Sequence, residues 1–287
     1  MDNVKPAQIV ADLTQMGAYK STLTVKNILI RGFLSGAFLG FATVLAFITA
    51  NQTGMGVLGA LAFPVGFVMI ILWGLELVTG NFATVPMAVM SRQTTLKRLF
   101  YNWAFAFIGN LIGSVFFGAM YYICMTKCGH TFDALIAKKI ITVATEKTLV
   151  YKELGITGIV VCFTKAILCN WMVTMGVVMG LVSSSTTGKI VAIWLPIFTF
   201  FALGLEHCVV NMFVIPTAIM LDAPISLSDW WLWNQIPATI GNIVGGFLFT
   251  GVLLYLTHYK KTIPEQNHQP ETAHQVNLSP EIENPKH

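Results

Sequence analysis

Six long apolar segments constrain the fold of this 287-residue chain more than any other feature. They cover about residues 28–50, 57–90, 100–125, 156–182, 189–220 and 236–256. A helix of about 20 apolar residues is long enough to cross the hydrocarbon core of a bilayer. Only 10% of the residues are charged, against about 25% in soluble domains. The sequence therefore predicts an all-α integral membrane protein with six spans, and it excludes a soluble enzyme.

The second and fifth segments are much longer than one crossing requires, and each has Gly, Asn and Pro near its middle. A continuous helix of that length would overshoot the bilayer. Two half-helices joined by an irregular break fit better, and such backbone is tolerated at membrane depth only where it is buried in protein or lines a cavity. We therefore expect two broken helices.

The residues around the two breaks repeat at an offset of 130. The first break contains Gly74, Leu75, Glu76, Asn81 and Pro86, and the second contains Gly204, Leu205, Glu206, Asn211 and Pro216. The third and sixth segments also match, with Asn102, Asn110 and Gly113 recurring as Asn234, Asn242 and Gly245. Because three spans is an odd number, the second copy must be inverted. Inverted repeats of about residues 28–125 and 156–256 with broken helices predict a channel or transporter.

The distribution of charge predicts the orientation. Eleven Lys or Arg residues lie on the side of the N-terminus, whereas the opposite side has five Lys, all in the loop 126–155. The positive-inside rule then places both termini in the cytoplasm. Residues 1–27 are expected to form a cytoplasmic amphipathic segment on the membrane surface. Residues 28–258 form the channel domain, and the Pro-rich residues 259–287 are expected to be a disordered cytoplasmic tail.

Few ionisable side chains lie inside the spans, and each is a functional hypothesis because burying a charge there is costly. His207 lies at the second break, where an imidazole can hydrogen-bond a small polar solute or transfer a proton. The alternative is a histidine that only satisfies backbone carbonyls. Leu77 at the equivalent position of the first break indicates that the fold itself does not require histidine.

Glu76 and Glu206 match by symmetry, which favours a structural role behind the pore. Broken helices leave backbone N–H groups unpaired, and we expect the two carboxylates to accept from them; a buried proton relay is the alternative. Lys165 lies in the fourth segment, where an ammonium can draw anions into a vestibule. Snorkelling, or pairing with a Glu, is the alternative for Lys165.

No metal, cofactor or nucleic acid is expected as a partner. Cys124, Cys128 and His130 are close in sequence, but no fourth ligand is near them. A net charge of +4 is too small and scattered for a phosphate-binding surface. A haem-anchoring subunit would need paired histidines within spans, and only His207 lies inside one.

Three motifs resemble those of the formate/nitrite transporter family. They are residues 75–81, the Cys-Asn-Trp run at 169–171 and residues 204–212, within a similarity that covers about 5–258. The sequence departs from the family at Val78, where Phe is usual, and over residues 174–176. The Val78 substitution is expected to widen the pore there.

The resemblance implies an aquaporin-like fold and a homopentamer with one pore in each subunit. It also implies roles for single residues. Those roles are a central pore histidine (His207), a loop threonine (Thr79), a pore asparagine (Asn170), a vestibule lysine (Lys165), an outer hydrophobic constriction (Phe63, Val173 and Phe200) and an inner one (Phe67, Leu77 and Val78). Independently of the resemblance, the symmetry of the breaks predicts support of the broken helices by Glu76, Asn81, Glu206 and Asn211.

The expected function is transport of a small monovalent weak-acid anion, most of all formate, across the cell membrane. A bare anion between apolar rings would be strongly destabilised, so we expect formate to cross with a proton as the neutral acid. Nitrite and hydrosulfide are alternatives within the same class, as is a pure anion channel. A neutral-solute pore is an alternative of another class, but no Asn-Pro-Ala sequence follows either break.

Overall fold

The computed structural model describes residues 3–259, and these form an all-helical bundle without a β-strand. The predicted tail lies outside the described residues, except for Tyr259. The first half of the chain contains α1 (Pro6–Thr22), α2 (Val25–Thr53), α3 (Gly56–Ala62), α4 (Pro64–Leu72), α5 (Val78–Met90) and α6 (Leu96–Thr126). The second half contains α7 (Leu135–Lys147), α8 (Leu149–Glu153), α9 (Ile156–Met179), α10 (Thr186–Ala202), α11 (Cys208–Met220) and α12 (Leu227–His258).

Four helices are long and apolar enough to cross a membrane: α2, α6, α9 and α12. The remaining apolar segments are divided, as the sequence predicts. One consists of α3, α4 and α5, with a break between Leu72 and Val78, and the other consists of α10 and α11, with a break between Ala202 and Cys208.

The two breaks have the same backbone geometry. Gly74 (φ 59°) and Gly204 (φ 61°) lie in the left-handed region, which glycine adopts without a steric penalty. The following residues close the turn, because the Leu75 N–H donates to the Ile70 carbonyl at 3.0 Å and the Leu205 N–H to the Phe200 carbonyl at 3.3 Å. This is how helices commonly end, and it confirms the repeat at the level of single hydrogen bonds.

Each repeat also packs its long helices through glycine. A Cβ on Gly113 of α6 would collide with the Phe33 carbonyl of α2, and a Cβ on Gly245 of α12 would collide with the Ile167 carbonyl of α9. Small residues of this kind allow helix backbones to approach closely in membranes. The pair α2 and α6 is therefore the structural counterpart of the pair α9 and α12.

The N-terminal helix α1 packs against α5, with Ile9, Val10 and Leu13 buried. A Cβ on Gly17 would collide with the Thr84 carbonyl, so the two helices are in close contact. The helix α7 of the long loop packs against α11 in the same way. Each repeat thus includes one additional helix beside its break.

Candidate functional site

The two breaks bring His207 and Thr79 into contact. His207 precedes α11 and Thr79 lies in the first turn of α5, and both side chains are buried. His207 Nε2 lies 3.1 Å from Thr79 Oγ1. The sequence predicted both residues for the site, and the structure brings them together across the two repeats.

The surroundings of His207 fix its neutral tautomer. Its Nδ1 accepts a hydrogen bond from the Val210 N–H at 3.2 Å and so caps α11. An accepting Nδ1 carries no proton, so the neutral ring has its proton on Nε2. Nε2–H then donates to Thr79 Oγ1, which leaves the hydroxyl hydrogen of Thr79 free to donate to another group.

Asn170 of α9 adjoins this pair. Its Nδ2 donates to the Thr79 carbonyl at 3.1 Å and to the Asn242 carbonyl at 2.6 Å. Because both partners can only accept, the amide must present its NH₂ group to them. Its Oδ1 is buried and has no hydrogen-bond partner among residues 3–259. The site thus combines a free donor, the Thr79 hydroxyl, with a free acceptor, Asn170 Oδ1.

Aromatic rings lie on one side of His207. The Phe200 and His207 rings are stacked with centroids 5.7 Å apart, and the Phe63 ring meets Phe200 edge-on at 5.5 Å. Phe201, which the sequence analysis did not single out, stacks on Phe63 at 4.0 Å. Val173, the third residue predicted for the outer constriction, is fully buried. Both neighbouring rings, Phe200 and Phe201, therefore meet Phe63, although only Phe200 was predicted for the constriction.

The residues predicted for the inner constriction divide into two groups. Phe67 and Leu77 line a cavity, whereas Val78 is buried and is not part of that wall. Instead, the Val78 backbone N–H donates to Asn110 Oδ1 at 2.9 Å. The widening expected from Val78 therefore stays a prediction.

Two cavities flank the site. The larger, about 320 Å³, is lined by His207, Phe200 and three lysines, and we call it the Lys165 cavity; its lysines are Lys139, Lys147 and Lys165. The smaller, about 110 Å³, is lined by Phe67, Leu77 and Lys20, and we call it the Lys20 cavity. The wall of the Lys165 cavity has more lysines than glutamates, which favours an anionic solute there, whereas Lys20 in the smaller cavity is paired with Glu76.

Lys165 forms no ion pair among the described residues, so the alternative that it pairs with a Glu is not observed there. Its Nζ lies 6.0 Å from the centre of the Tyr151 ring. Burial raises the pKa of the Tyr151 phenol, and the nearby Glu206 carboxylate raises it further. The phenol therefore stays protonated and donates to Glu206 Oε1 at 2.8 Å.

Glu76 is held in a buried network beside the first break. Lys20 Nζ of α1 lies 2.9 Å from Glu76 Oε1, and Asn81 Nδ2 donates to Glu76 Oε2 at 2.7 Å. Asn102 Nδ2 donates to the same oxygen at 3.2 Å. Three groups thus converge on one buried carboxylate.

Glu206 has the same network beside the second break. Lys147 Nζ of α7 and Asn211 Nδ2 each lie 2.8 Å from Glu206 Oε2, and Asn234 Nδ2 lies at 3.2 Å. Lys147 therefore corresponds to Lys20. Lys20 and Lys147 could not be predicted as partners of the glutamates, because the repeat was recognised within the apolar segments and both lysines lie outside them.

The carboxylates do not accept from the break N–H groups, and this part of the prediction is wrong. Asn110 Oδ1 accepts from the Val78 N–H at 2.9 Å, and Asn242 Oδ1 accepts from the Cys208 N–H at 2.8 Å. An amide is better suited than a carboxylate, because its NH₂ group also donates to backbone carbonyls. Asn110 donates to the Glu76 carbonyl, and Asn242 to that of Glu206. Both glutamates also belong to cavity walls, rather than lying away from them.

Residues 3–259 contain no cluster of three His, Cys, Asp or Glu side chains that could hold a metal ion. Cys124 and Cys128 are exposed at the end of α6, and Cys162, Cys169 and Cys208 are buried free thiols.

The chain is similar to known transporters over most of its length. It is 36% identical over 265 residues to the "Uncharacterized transporter YrhG" of Bacillus subtilis, covering 90% of this chain and 94% of that protein. It is 33% identical to the "Probable formate transporter" of Methanothermobacter thermautotrophicus, covering 91% and 97%. It is 31% identical to the "Formate channel BtFdhC" of Bacillus thuringiensis, covering 90% and 96%.

Solved structures share the fold. A chain described as an "FNT family ion channel" superimposes with a TM-score of 0.76 over 87% of this chain and 98% of its own, at 23% identity. A "Pentameric formate channel with formate bound" has a TM-score of 0.65 and 25% identity, over 83% and 96%. The family model "Formate/nitrite transporter" matches residues 7–256. The chain is therefore a multi-pass membrane protein that belongs to the formate/nitrite transporter family.

Proposed function

We propose that this protein carries formate across the cell membrane together with a proton, as neutral formic acid. The observation that carries the proposal is that two contacting residues beside His207, Thr79 and Asn170, each keep one uncharged polar group without a partner: the Thr79 hydroxyl hydrogen and Asn170 Oδ1. A neutral carboxylic acid has a carbonyl oxygen that accepts a hydrogen bond and an O–H that donates one. The pair matches these two groups, whereas a carboxylate has no hydrogen to give to Asn170 Oδ1.

Electrostatics favours the neutral acid at the aromatic rings. Transferring an ionised carboxylate into apolar surroundings is far more costly than transferring a neutral polar group. The rings of Phe63 and Phe200 adjoin His207 and offer no charge to compensate. Lys165 would gather the anion in its cavity, and the acid would enter the rings only after it takes a proton.

His207 would act in its neutral form. Protonating Nδ1 would break the hydrogen bond with the Val210 N–H and would add positive charge at the N-terminus of α11, which the helix dipole disfavours. We therefore expect the proton to come from the bulk solution as hydronium, through water beside His207, so that no hydroxide is left in the cavity. His207 would orient Thr79 through Nε2–H and so keep the Thr79 hydroxyl available to the acid.

We also propose six membrane crossings, four by the long helices and two by the divided segments, which makes the repeats inverted. The excess of Lys and Arg on the side of the N-terminus favours cytoplasmic termini. A homopentamer fits the apolar side chains exposed on the long helices, such as Phe41, Phe100 and Ile112. The similarity to a pentameric formate channel supports the same assembly.

A panel of solutes tests the proposal. Proteoliposomes that contain a pH dye would be mixed rapidly with formate, nitrite, hydrosulfide, lactate or glycerol. We expect fast acidification of the lumen with formate, and loss of most of that response in His207→Phe. An unchanged flux and pH dependence in His207→Phe would exclude a role for His207, and glycerol flux without any acid response would indicate a neutral-solute channel.

A further inference from the structure

An eight-residue π-helical stretch, Gly245–Val252, interrupts α12 where this helix passes α9. Hydrogen bonds in a π-helix join residues five apart, and such stretches are rare and often lie at functional sites. The counterpart helix of the first repeat, α6, is α-helical throughout Leu96–Thr126. A shorter π-helical stretch, Trp231–Gln235, lies near the start of α12, so π-helical backbone distinguishes α12 from α6, and Gly245–Val252 is the longer of the two stretches.

The side chain of Asn170 lies against this π-helical stretch and has no counterpart in the first repeat. Since Phe33 and Ile167 occupy equivalent positions, Gly36 of α2 is the counterpart of Asn170. A Cβ on Gly36 would collide with the Asn110 carbonyl, so α2 and α6 meet there without a side chain between them. In the second repeat, the Asn170 amide lies between the helices and donates to the Asn242 carbonyl at 2.6 Å.

Two residues of the π stretch hold Asn170 in place. A Cβ on Gly246 would lie 2.6 Å from Asn170 Nδ2, so only glycine leaves room for the amide. Thr250 Oγ1 lies 2.7 Å from Thr174 Oγ1, and this hydroxyl of α9 donates to the Asn170 carbonyl at 2.6 Å. Gly246 thus borders the side chain of Asn170, and Thr250 supports its backbone through Thr174.

We propose that the π stretch is a positioning element that fixes the Asn170 amide, with Gly246 and Thr250 as its positioning residues. Both amide hydrogens bind carbonyls, of Thr79 and Asn242, so Oδ1 remains as the acceptor for the O–H of the acid. A shift of the amide would break one of these bonds and displace the acceptor. This inference rests on the proposed function, because it assigns the acceptor to that same site.

A double-mutant cycle of Gly246→Ala with Asn170→Ala tests the inference. Gly241→Ala is the matched control, because its Cβ would be equally crowded, 2.5 Å from the Phe163 carbonyl and 2.6 Å from Ala166 Cβ, on the same helix but against other groups. Gly246→Ala is expected to lower formate flux at least tenfold in the wild-type background. Its effect should be several-fold smaller in the Asn170→Ala background, where the amide is absent and only Phe82 Cβ and Thr174 Cγ2, each at 3.1 Å, remain close. Gly241→Ala should have the same effect in both backgrounds.

Thr250→Val and Thr250→Ser provide a test without added bulk. Val is expected to lower formate flux at least threefold and Ser to retain it, because only Ser keeps the hydroxyl beside Thr174. Equal flux in the two Thr250 variants, or independent effects of Gly246→Ala and Asn170→Ala, would overturn the inference. Absence of formate flux in the wild-type protein would contradict the proposed function instead. In that case, the melting temperatures of the four proteins of the Gly246→Ala and Asn170→Ala cycle would be measured. Coupled changes in melting temperature would support the contact between Gly246 and the Asn170 amide, and additive changes would overturn the inference.

Discussion

At the scale of single residues, His207 and Leu77 occupy equivalent positions and do different things. Both precede a half-helix in extended conformation, with φ of −110° in each case. Leu77 gives α5 no side-chain cap, whereas His207 caps α11 and reaches Thr79 of the other repeat. Two differences between the copies of the break, His207 in place of Leu77 and Thr79 in place of Val209, thus create the polar contact between the repeats.

Removing the Thr79 hydroxyl should impair transport. Thr79→Val keeps the shape of the side chain but leaves the His207 Nε2–H buried without an acceptor, which costs about 1–3 kcal/mol. We expect formate uptake to fall by about tenfold to a hundredfold in proteoliposomes, because this range corresponds to that energy. Thr79→Ser is the control and should retain most of the flux. Equal uptake by the Val and Ser variants would show that the hydroxyl has no role.

Lys165 should affect the capture of the anion more than its passage. Replacing it by Gln removes one cation from the Lys165 cavity but leaves the rings and His207 unchanged. The KM for formate should rise about threefold to tenfold at low salt, with little change in maximal rate, and the difference should shrink at high salt. Lys165→Arg keeps the charge and is the control. A KM that does not change in Lys165→Gln would exclude the proposed role.

At the scale of the helical elements, each break is supported from both sides. Within the bundle, Asn110 and Asn242 bind the first N–H groups of α5 and α11. From outside the apolar segments, α1 and α7 supply Lys20 and Lys147 to the buried glutamates. Each break therefore depends on a helix that precedes the three apolar segments of its own repeat.

The Lys147–Glu206 pair should respond strongly to removal of one partner. Lys147→Met leaves the Glu206 carboxylate buried without its cation, and breaking a buried pair in this way costs about 3–5 kcal/mol. The detergent-solubilised protein should melt at a clearly lower temperature. Adding Glu206→Gln to Lys147→Met removes the unpaired charge and should recover much of the loss. A double variant no more stable than Lys147→Met would contradict this account of the pair.

Much of this architecture could be predicted from the sequence, because the apolar segments and the motifs that repeat at an offset of 130 can be recognised directly in the order of the residues. The two breaks, the equivalent glutamates and the place of His207 at the second break follow from them. Thr79 is assigned through the family resemblance, and its contact with His207 is a finding of the structure. The lysine partners could not be found in this way, since Lys20 and Lys147 are 127 residues apart and lie in polar segments. The π-helical stretch Gly245–Val252 could not be predicted from the sequence, because Gly245 and Gly246 are equally compatible with an ordinary close-packed α-helix.

At the scale of the whole molecule, the two repeats enclose unequal cavities on either side of one polar site. The larger contains Lys139, Lys147 and Lys165, and the smaller contains Lys20 and is lined in part by Met16 and Tyr19 of α1. Uncharged polar groups at the centre, and an excess of lysines over glutamates in the wall of the larger cavity, suit a solute that is an anion in water and a neutral acid at the centre.

Uptake should therefore depend on pH in a defined direction. Lowering the pH on the side that contains formate increases the concentration of protons and of neutral acid, so the initial rate of uptake should rise. Raising that pH should lower the rate, although more formate is then present as the anion. A rate that rises with pH would indicate passage of the anion.

Whether formate crosses with or without net charge is the most direct test of the central claim. Proteoliposomes with a formate gradient would be monitored at once with a pH dye and a voltage-sensitive dye, in the presence and absence of a potassium potential set by valinomycin. We predict rapid acidification of the lumen, no change in membrane voltage caused by formate, and a rate independent of the imposed potential. A formate flux that generates a voltage and follows the potassium potential would contradict the account, because it would show that the bare anion passes the rings.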